Sequence, residues 1–298
     1  MKNILVTGGA GFVGSSLIQQ LCTKNNVKIW SLDDYSTGKE ENHVRLDNVN
    51  YIKGHTKLIN TTWFAKQIPN IIFDTIFHFG EYSRVEPSLK EIKKTFDSNS
   101  IGTFEILEYC KKNNSKLIYS ASSTKFGDGG TNINKSPYAF FKSKNVELIK
   151  NYNKWYNLEY KIVYFYNVYG PGQIEKGDYA TVIGIFERQF RNSEALTVVS
   201  PGTQKRDFTH IDDIISGVLA ISTYSGEEKE FCLGSGNSYS ILDVAKMFGS
   251  EIVFLPERVT ERMNTNINLD LSKKELNWEA LMCLKKYIEK IKNNSCSL

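Results

Sequence analysis

The stretch NILVTGGAGFVG, residues 3–14, constrains this chain more than any other. Asn3 to Thr7 read as a buried strand, and Gly8, Gly11 and Gly14 follow at once, with Phe12 and Val13 between the last two. Residues 11–24 then carry helical periodicity. A strand that turns through spaced glycines into a helix lets the chain reverse tightly and lets a pyrophosphate approach the backbone amides at the helix N-terminus. Gly8, Gly11, Phe12, Val13 and Gly14 are therefore expected to hold a dinucleotide. The second strand ends in LDD, so Asp33 stands about twenty residues after the glycines, where a carboxylate accepts hydrogen bonds from the adenosine ribose. The same charge repels a 2′-phosphate and no arginine immediately follows it, so NAD is expected rather than NADP.

Further apolar runs, 28–32, 71–79, 116–120 and 160–165, read as strands; none shows period-2 alternation, as befits strands covered on both faces. Residues 88–113 and 137–156 read as helices between them. Strand and helix in alternation predict an α/β fold with a doubly wound parallel sheet of Rossmann type. After Tyr166 the pattern becomes turn-rich, with helices expected at 185–190 and 211–223 and a strand at 196–200. We expect a first domain over 1–166, with 207–233 returning to it, and a smaller C-terminal, substrate-binding one over 167–206 and 234–298.

The 298 residues carry a net charge of only +4. With no basic stripe interleaved with aromatics, a nucleic-acid partner is not expected. No apolar run reaches the length of a membrane span. The five cysteines, Cys22, Cys110, Cys232, Cys283 and Cys296, show neither paired spacing nor metal-ligand spacing; they are expected to be reduced thiols in a cytoplasmic protein without a metal. The tail KNNSCSL is expected to fray.

SPYAFFKSK, 136–144, places Tyr138 and Lys142 four apart, on one face of the expected helix. A free phenol titrates near 10, and bringing it near neutrality takes about 4 kcal/mol. One ammonium close by, at the effective dielectric of a protein site, supplies a comparable amount. Tyr138 is then a candidate base that takes a proton from a sugar hydroxyl while hydride leaves. The strand 116–120 runs into SASSTKFGDGG and delivers Ser122 to the carboxyl edge of the sheet, where it can donate to the same oxygen.

TGGAGFVG, LDDYSTGK, the serine segment, YAFFK and YNVYGPGQ together resemble the extended short-chain dehydrogenase/reductases that act on nucleotide sugars. The resemblance covers most of the chain, in the right order. It implies an NAD domain, a smaller sugar-nucleotide domain and a homodimer built on two long helices per subunit. It matches Ser122, Tyr138 and Lys142 to a catalytic trio and Asn99 to a helix asparagine near them. Asn167, Arg206 and Arg258 match positions that contact the sugar diphosphate.

The departures from that pattern carry information. Ser123 and Thr124 stand where the family's dehydratases have an acidic pair, so 4,6-dehydration is set aside. His55 stands where an aspartate usually meets the adenine. Glu81, Arg84 and Lys125 replace small, neutral or apolar residues. Arg84 and Lys125 could hold a 2-oxo acid that reoxidises the cofactor, or one of them could simply pair with Glu81 or Glu86. The first reading predicts a net 4-dehydrogenase acting on a nucleoside-diphosphate sugar; FGEYSRVEPS and SSTKFGDGG are also similar to a bacterial subgroup that oxidises GDP-heptose for capsule sugars. A 4-epimerase is the alternative, and a noncatalytic dinucleotide sensor the third reading.

Overall fold

The computed structural model describes residues 1–126, 128, 130, 134–258, 263, 264 and 267–295. The strands are β1 (Lys2–Thr7), β2 (Val27–Asp33), β3 (Val49–Lys53), β4 (Thr75–His78), β5 (Lys116–Ser122), β6 (Tyr160–Phe165), β7 (Asn167–Tyr169), β8 (Leu196–Val199), β9 (Lys205–His210), β10 (Glu230–Leu233), β11 (Ser238–Ser240) and β12 (Ile252–Leu255). The helices are α1 (Phe12–Leu21), α2 (Thr62–Gln67), α3 (Val85–Lys90), α4 (Ile92–Phe96), α5 (Gly102–Asn113), α6 (Pro137–Tyr156), α7 (Val182–Arg191), α8 (Ile211–Thr223), α9 (Ile241–Phe248), α10 (Asp270–Leu276) and α11 (Leu284–Ser295).

Seven strands form one sheet in the order β10–β6–β5–β4–β1–β2–β3. β1 pairs in parallel with β2 on one side and β4 on the other, so the strand order reverses at β1. That reversal defines the doubly wound Rossmann-like α/β fold, and it opens a crevice at the carboxyl ends of β1 and β4 where such sheets bind ligands. The apolar runs that read as strands supply the core here: Leu5, Val6, Ile29, Leu32, Ile76, Leu117 and Ile118 are buried.

β6, α6 and α8 fall on the expected residues, whereas 88–113 is not one helix. Glu91, at φ −113° and ψ 44°, separates α3 from α4, and a wider turn, Asp97–Ile101, precedes α5. β3 was not expected. It is a partly exposed edge strand, VNYIK, with Ile52 as its buried residue, too weak an apolar run to stand out.

α6 starts and stops by local chemistry. Ser136 caps it by accepting from the Ala139 amide, and Pro137 occupies the first turn, where its missing N–H costs nothing. Asn157 ends it in the left-handed conformation, φ 56°.

The chain divides into two compact units, one of residues 1–122, 136–163 and 227–230, the other of 123–135, 164–226 and 231–298. Residues 207–226, placed above with the first domain, go with the second unit, because β9 pairs there with β7 and β11. The second unit's core gathers Tyr169, Phe186, Val198, Phe208, Val244, Phe248 and Ile288, all buried.

Cys22, Cys110, Cys232 and Cys283 are thiols outside any disulfide among the described residues, while Cys296, the tail beyond residue 295, Gly127 of the serine segment and residues 259–262 of RVTER lie outside the described residues. No helix among the described residues is long and apolar enough to cross a membrane.

Candidate active site

The glycine turn has the shape that a bound pyrophosphate requires. Gly8 sits at φ +69°, and a Cβ there would come within 2.8 Å of the Gly80 Cα. A Cβ on Gly14 would lie 2.1 Å from the Gly8 carbonyl oxygen. The turn therefore closes only with bare backbone, and it leads straight into α1, whose N-cap Gly11 offers no side chain to its first amides. Those amides remain available to an anion. Phe12 and Val13 begin the first turn of α1.

Asp33 ends β2 and is buried. Its Oδ2 accepts from the Ala10 amide at 2.9 Å and its Oδ1 from the Tyr35 amide at 2.8 Å. Burial raises the carboxyl above its ordinary value, and the Tyr35 and Ala10 amides offset only part of that rise. Each oxygen keeps acceptor capacity beyond the one amide it receives, which fits the ribose hydroxyls of a dinucleotide. His55 caps the turn Thr56–Leu58 by accepting from the Lys57 amide at its Nδ1, at 3.1 Å, so it fills a capping role that an aspartate also fills.

Tyr138 and Lys142 lie on the first two turns of α6, at the N-terminal end of the helix. The buried stripe of α6 runs through Ala139, Lys142, Asn145, Val146 and Ile149, so the lysine points into the protein. Its ammonium donates to the Ser120 carbonyl oxygen on β5 and forms an ion pair with Glu81. Ser120 and Ser122 lie two residues apart on β5 and so share a face. The Glu81 side chain is only 1% exposed. Its other oxygen accepts from Asn145 Nδ2 at 2.9 Å, Thr103 Oγ1 at 3.0 Å and the Tyr119 hydroxyl at 3.1 Å.

The sequence marked Glu81 as unusual and offered Arg84 or Lys125 as its partner; the partner is Lys142. Asn145, Thr103 and Tyr119, which complete the carboxylate's shell, were missed. The available signal was Lys142 and Asn145 sitting inside an apolar stripe at i, i+3 spacing, where an unpaired charge is costly.

Asn99 is fully buried and lies on the wide turn before α5. Its amide is occupied on both sides by Tyr82, accepting from the Tyr82 amide at 2.7 Å and donating to its carbonyl at 2.9 Å. Asn99 thus fastens the loop that carries Glu81 and Arg84. Arg84 precedes α3, half-buried, and donates to the Ser83 carbonyl at 3.0 Å.

In the second unit, the Lys125 ammonium donates to the Tyr164 hydroxyl at 2.9 Å and lies 5.0 Å from that ring's centroid. Asn167 opens β7 and donates to the Asp207 carbonyl at 3.0 Å. Arg206 on β9 is buried and donates to the Lys205 carbonyl at 2.8 Å. Arg258 is exposed beyond β12. Asn167 and Arg206 thus stand on neighbouring strands, while Arg258 is not brought to them by any described contact.

A doubly wound sheet with a bare glycine turn, an acidic residue ending its second strand and a helix that carries half-buried Tyr138 one turn before buried Lys142 defines a dinucleotide-binding protein of the Rossmann class. Comparison with known proteins gives the family: the chain belongs to the NAD dependent epimerase/dehydratase family, whose model matches residues 4–234. A protein of Methanocaldococcus jannaschii, provisionally named a UDP-glucose 4-epimerase, is 30% identical over 309 aligned positions, covering 97% of each chain. The crystal structure of a UDP-glucose 4-epimerase with UDP-glucose from Thermotoga maritima has a TM-score of 0.88 at 25% identity, covering 99% of this chain and 98% of that one. A mutant UDP-glucuronic acid 4-epimerase from Bacillus cereus, in complex with UDP-4-deoxy-4-fluoro-glucuronic acid and NAD, has a TM-score of 0.86 at 25% identity over 99% of both chains. NAD is the cofactor of this family, and the glycine turn and Asp33 fit it.

Proposed function

We propose that this enzyme oxidises C4 of a nucleoside-diphosphate sugar at the Tyr138–Lys142 pair and returns the hydride to the opposite face, as a 4-epimerase. The carrying observation is the Lys142 ammonium, buried and anchored to β5 two residues before Ser122. It supports reading that edge as a place where an oxyanion is stabilised. The epimerase relatives support the outcome at C4.

In this reading the backbone amides from Gly8 to Gly14 and the first turn of α1 hold the pyrophosphate, and Asp33 holds the adenosine ribose. Bound there, NAD would supply the acceptor that takes hydride from C4 and gives it back. Tyr138 accepts the C4 hydroxyl proton as the ketone forms and returns it when the ketone is reduced. Ser122 donates a hydrogen bond to the same oxygen, and Lys142 keeps the phenolate stable. Asn167, Arg206 and Arg258 are assigned to the sugar diphosphate, which prefers charged and amide donors. Leu89, Ile92, Phe96, Ile101, Phe104 and Phe140 are exposed apolar residues on and beside α3 to α6. They support a homodimer formed by covering those helices with a second copy.

Arg84 and Lys125 favour a second reading. They are cations at positions where the family pattern has none, and a 2-oxo acid held there would discharge the reduced cofactor. The net product would then be the 4-keto sugar, a GDP-heptose being the candidate substrate. One experiment separates the readings: incubation with UDP-glucose, UDP-glucuronic acid, GDP-mannose or a GDP-heptose, each with and without 2-oxoglutarate. A C4 epimer formed without the oxo acid supports the epimerase. A 4-keto sugar accumulating only with it supports the dehydrogenase, and no change in any sugar sinks both.

A further inference from the structure

A buried carboxylate pressed against the site's ammonium calls for a function of its own. Glu81 reaches Lys142 from the loop after β4, and its side chain is almost fully enclosed. It is not adventitious: Asn145, Thr103 and Tyr119 all donate to it, and Asn145 also donates to the Asn99 carbonyl at 2.6 Å. The site is built to keep a negative charge there. An ammonium lowers the pKa of a neighbouring phenol through its net field. A carboxylate on the ammonium's far side cancels part of that field and fixes where the ammonium sits.

We infer that Glu81 is a positioning residue: it anchors Lys142 against β5 and sets, through the charge it offsets, the pH at which Tyr138 can act as base. The inference rests on Tyr138 being that base. Among the described residues, α3 and α4 pack on α6 and bring Arg84, Glu86, Lys90, Glu91, Lys93 and Lys94 to that side of the helix, whereas the titratable groups in the shell of the Glu81–Lys142 pair itself are His78 and Tyr119. His78, from β4, has both ring nitrogens within hydrogen-bond distance of threonines, Thr7 at 2.7 Å and Thr103 at 3.0 Å; burial pushes it down to about 4, so it is uncharged at neutral pH. Tyr119, from β5, is pushed well up, first by burial and then by Glu81 itself, so it stays a neutral donor. Tyr138 shares α6 with Lys142. The remaining neighbours, Asn99, Thr103, Ser120 and Asn145, do not titrate. Glu81 is thus the negative charge that balances Lys142.

The test is an ultraviolet titration of tyrosinate, taken as the difference between each protein and its Tyr138→Phe counterpart, which isolates Tyr138 without needing the substrate. In Glu81→Gln the amide oxygen can still accept from Asn145, Thr103 and Tyr119, while the charge opposite Lys142 is gone and an NH2 group takes its place. The Tyr138 midpoint should fall by about one pH unit. The acid limb of the turnover profile should move the same way. If Glu81→Gln does not fold, Glu81→Asp keeps the charge but withdraws it from Lys142 and should move the midpoint in the same direction by less. A midpoint that is unmoved or raised in the variant that folds overturns the inference. The base assignment fails separately, if Tyr138→Phe keeps turnover; an inactive Tyr138→Phe with an unmoved midpoint removes Glu81 alone.

Discussion

Asp33 accepts the amide proton of Ala10 at 2.9 Å, across 23 residues of chain. The carboxylate that ends β2, assigned above to the ribose, therefore also braces the glycine turn. Asp33→Ala should weaken NAD roughly 10- to 100-fold, the usual cost of losing hydrogen bonds to a charged acceptor. The preference for NAD over NADP should shrink with it. Calorimetric titration with both dinucleotides measures this; unchanged affinity for both would remove Asp33 from the site.

Gly14 has no room for a methyl group, since a Cβ would lie 2.1 Å from the Gly8 carbonyl oxygen. Backbone cannot yield as a side-chain tip does, so Gly14→Ala should open the turn. NAD binding should be lost and the melting temperature lowered, by several degrees for each kcal/mol of strain. A variant that binds NAD as well as the parent would contradict the close approach.

Tyr138→Phe deletes one oxygen. Turnover should fall by about 10² to 10⁴, the range for a general acid–base group, with NAD binding retained. The pair of measurements separates chemistry from folding. Full activity in the variant would sink the proposed mechanism.

Lys142→Met leaves the Glu81 carboxylate buried without its counter-charge, which costs about 3–5 kcal/mol. Glu81→Gln added to it removes the orphaned charge, so the double variant should recover much of that loss. Urea unfolding of the two single variants, the double variant and the parent gives the coupling. Simple additivity would mean the ion pair contributes nothing.

His78 gives the fold an acid-sensitive point. Its ordinary value of 6.5 drops to about 4 because burial disfavours the charged ring. The unfolded chain then binds a proton that the folded one refuses between those values. The stabilisation is complete above pH 6.5 and is lost as pH falls towards about 4, a loss of about 3 kcal/mol at most. His78→Asn cannot titrate, so its stability relative to the parent should improve by about that amount over the same window. Urea midpoints measured across that range check the sign and the size.

Much of this was written locally. The run into Gly8, Gly11 and Gly14 announces a strand, a tight turn and a helix because only bare backbone fits there. The ends of α6 are set by Ser136, Pro137 and Asn157, three residues that act on their own segment. The strands β1, β2, β5 and β6 carry apolar runs through their middles because both faces are covered there. The same locality explains the misses: an edge strand such as β3 lacks that apolar signature, and the break at Glu91 leaves no proline or glycine at that position to mark it.

The amino-acid sequence by itself determined the fold class, the dinucleotide turn and the spacing of Tyr138 and Lys142, since each depends on residues near in the chain. Only the tertiary structure decided which charge meets which. Glu81 is 61 positions from Lys142, and its pairing depends on β4, β5 and α6 coming together around a space in which both side chains are buried. In that enclosed space a carboxylate must find its cation, and neither composition nor periodicity says which of several lysines and arginines will be there.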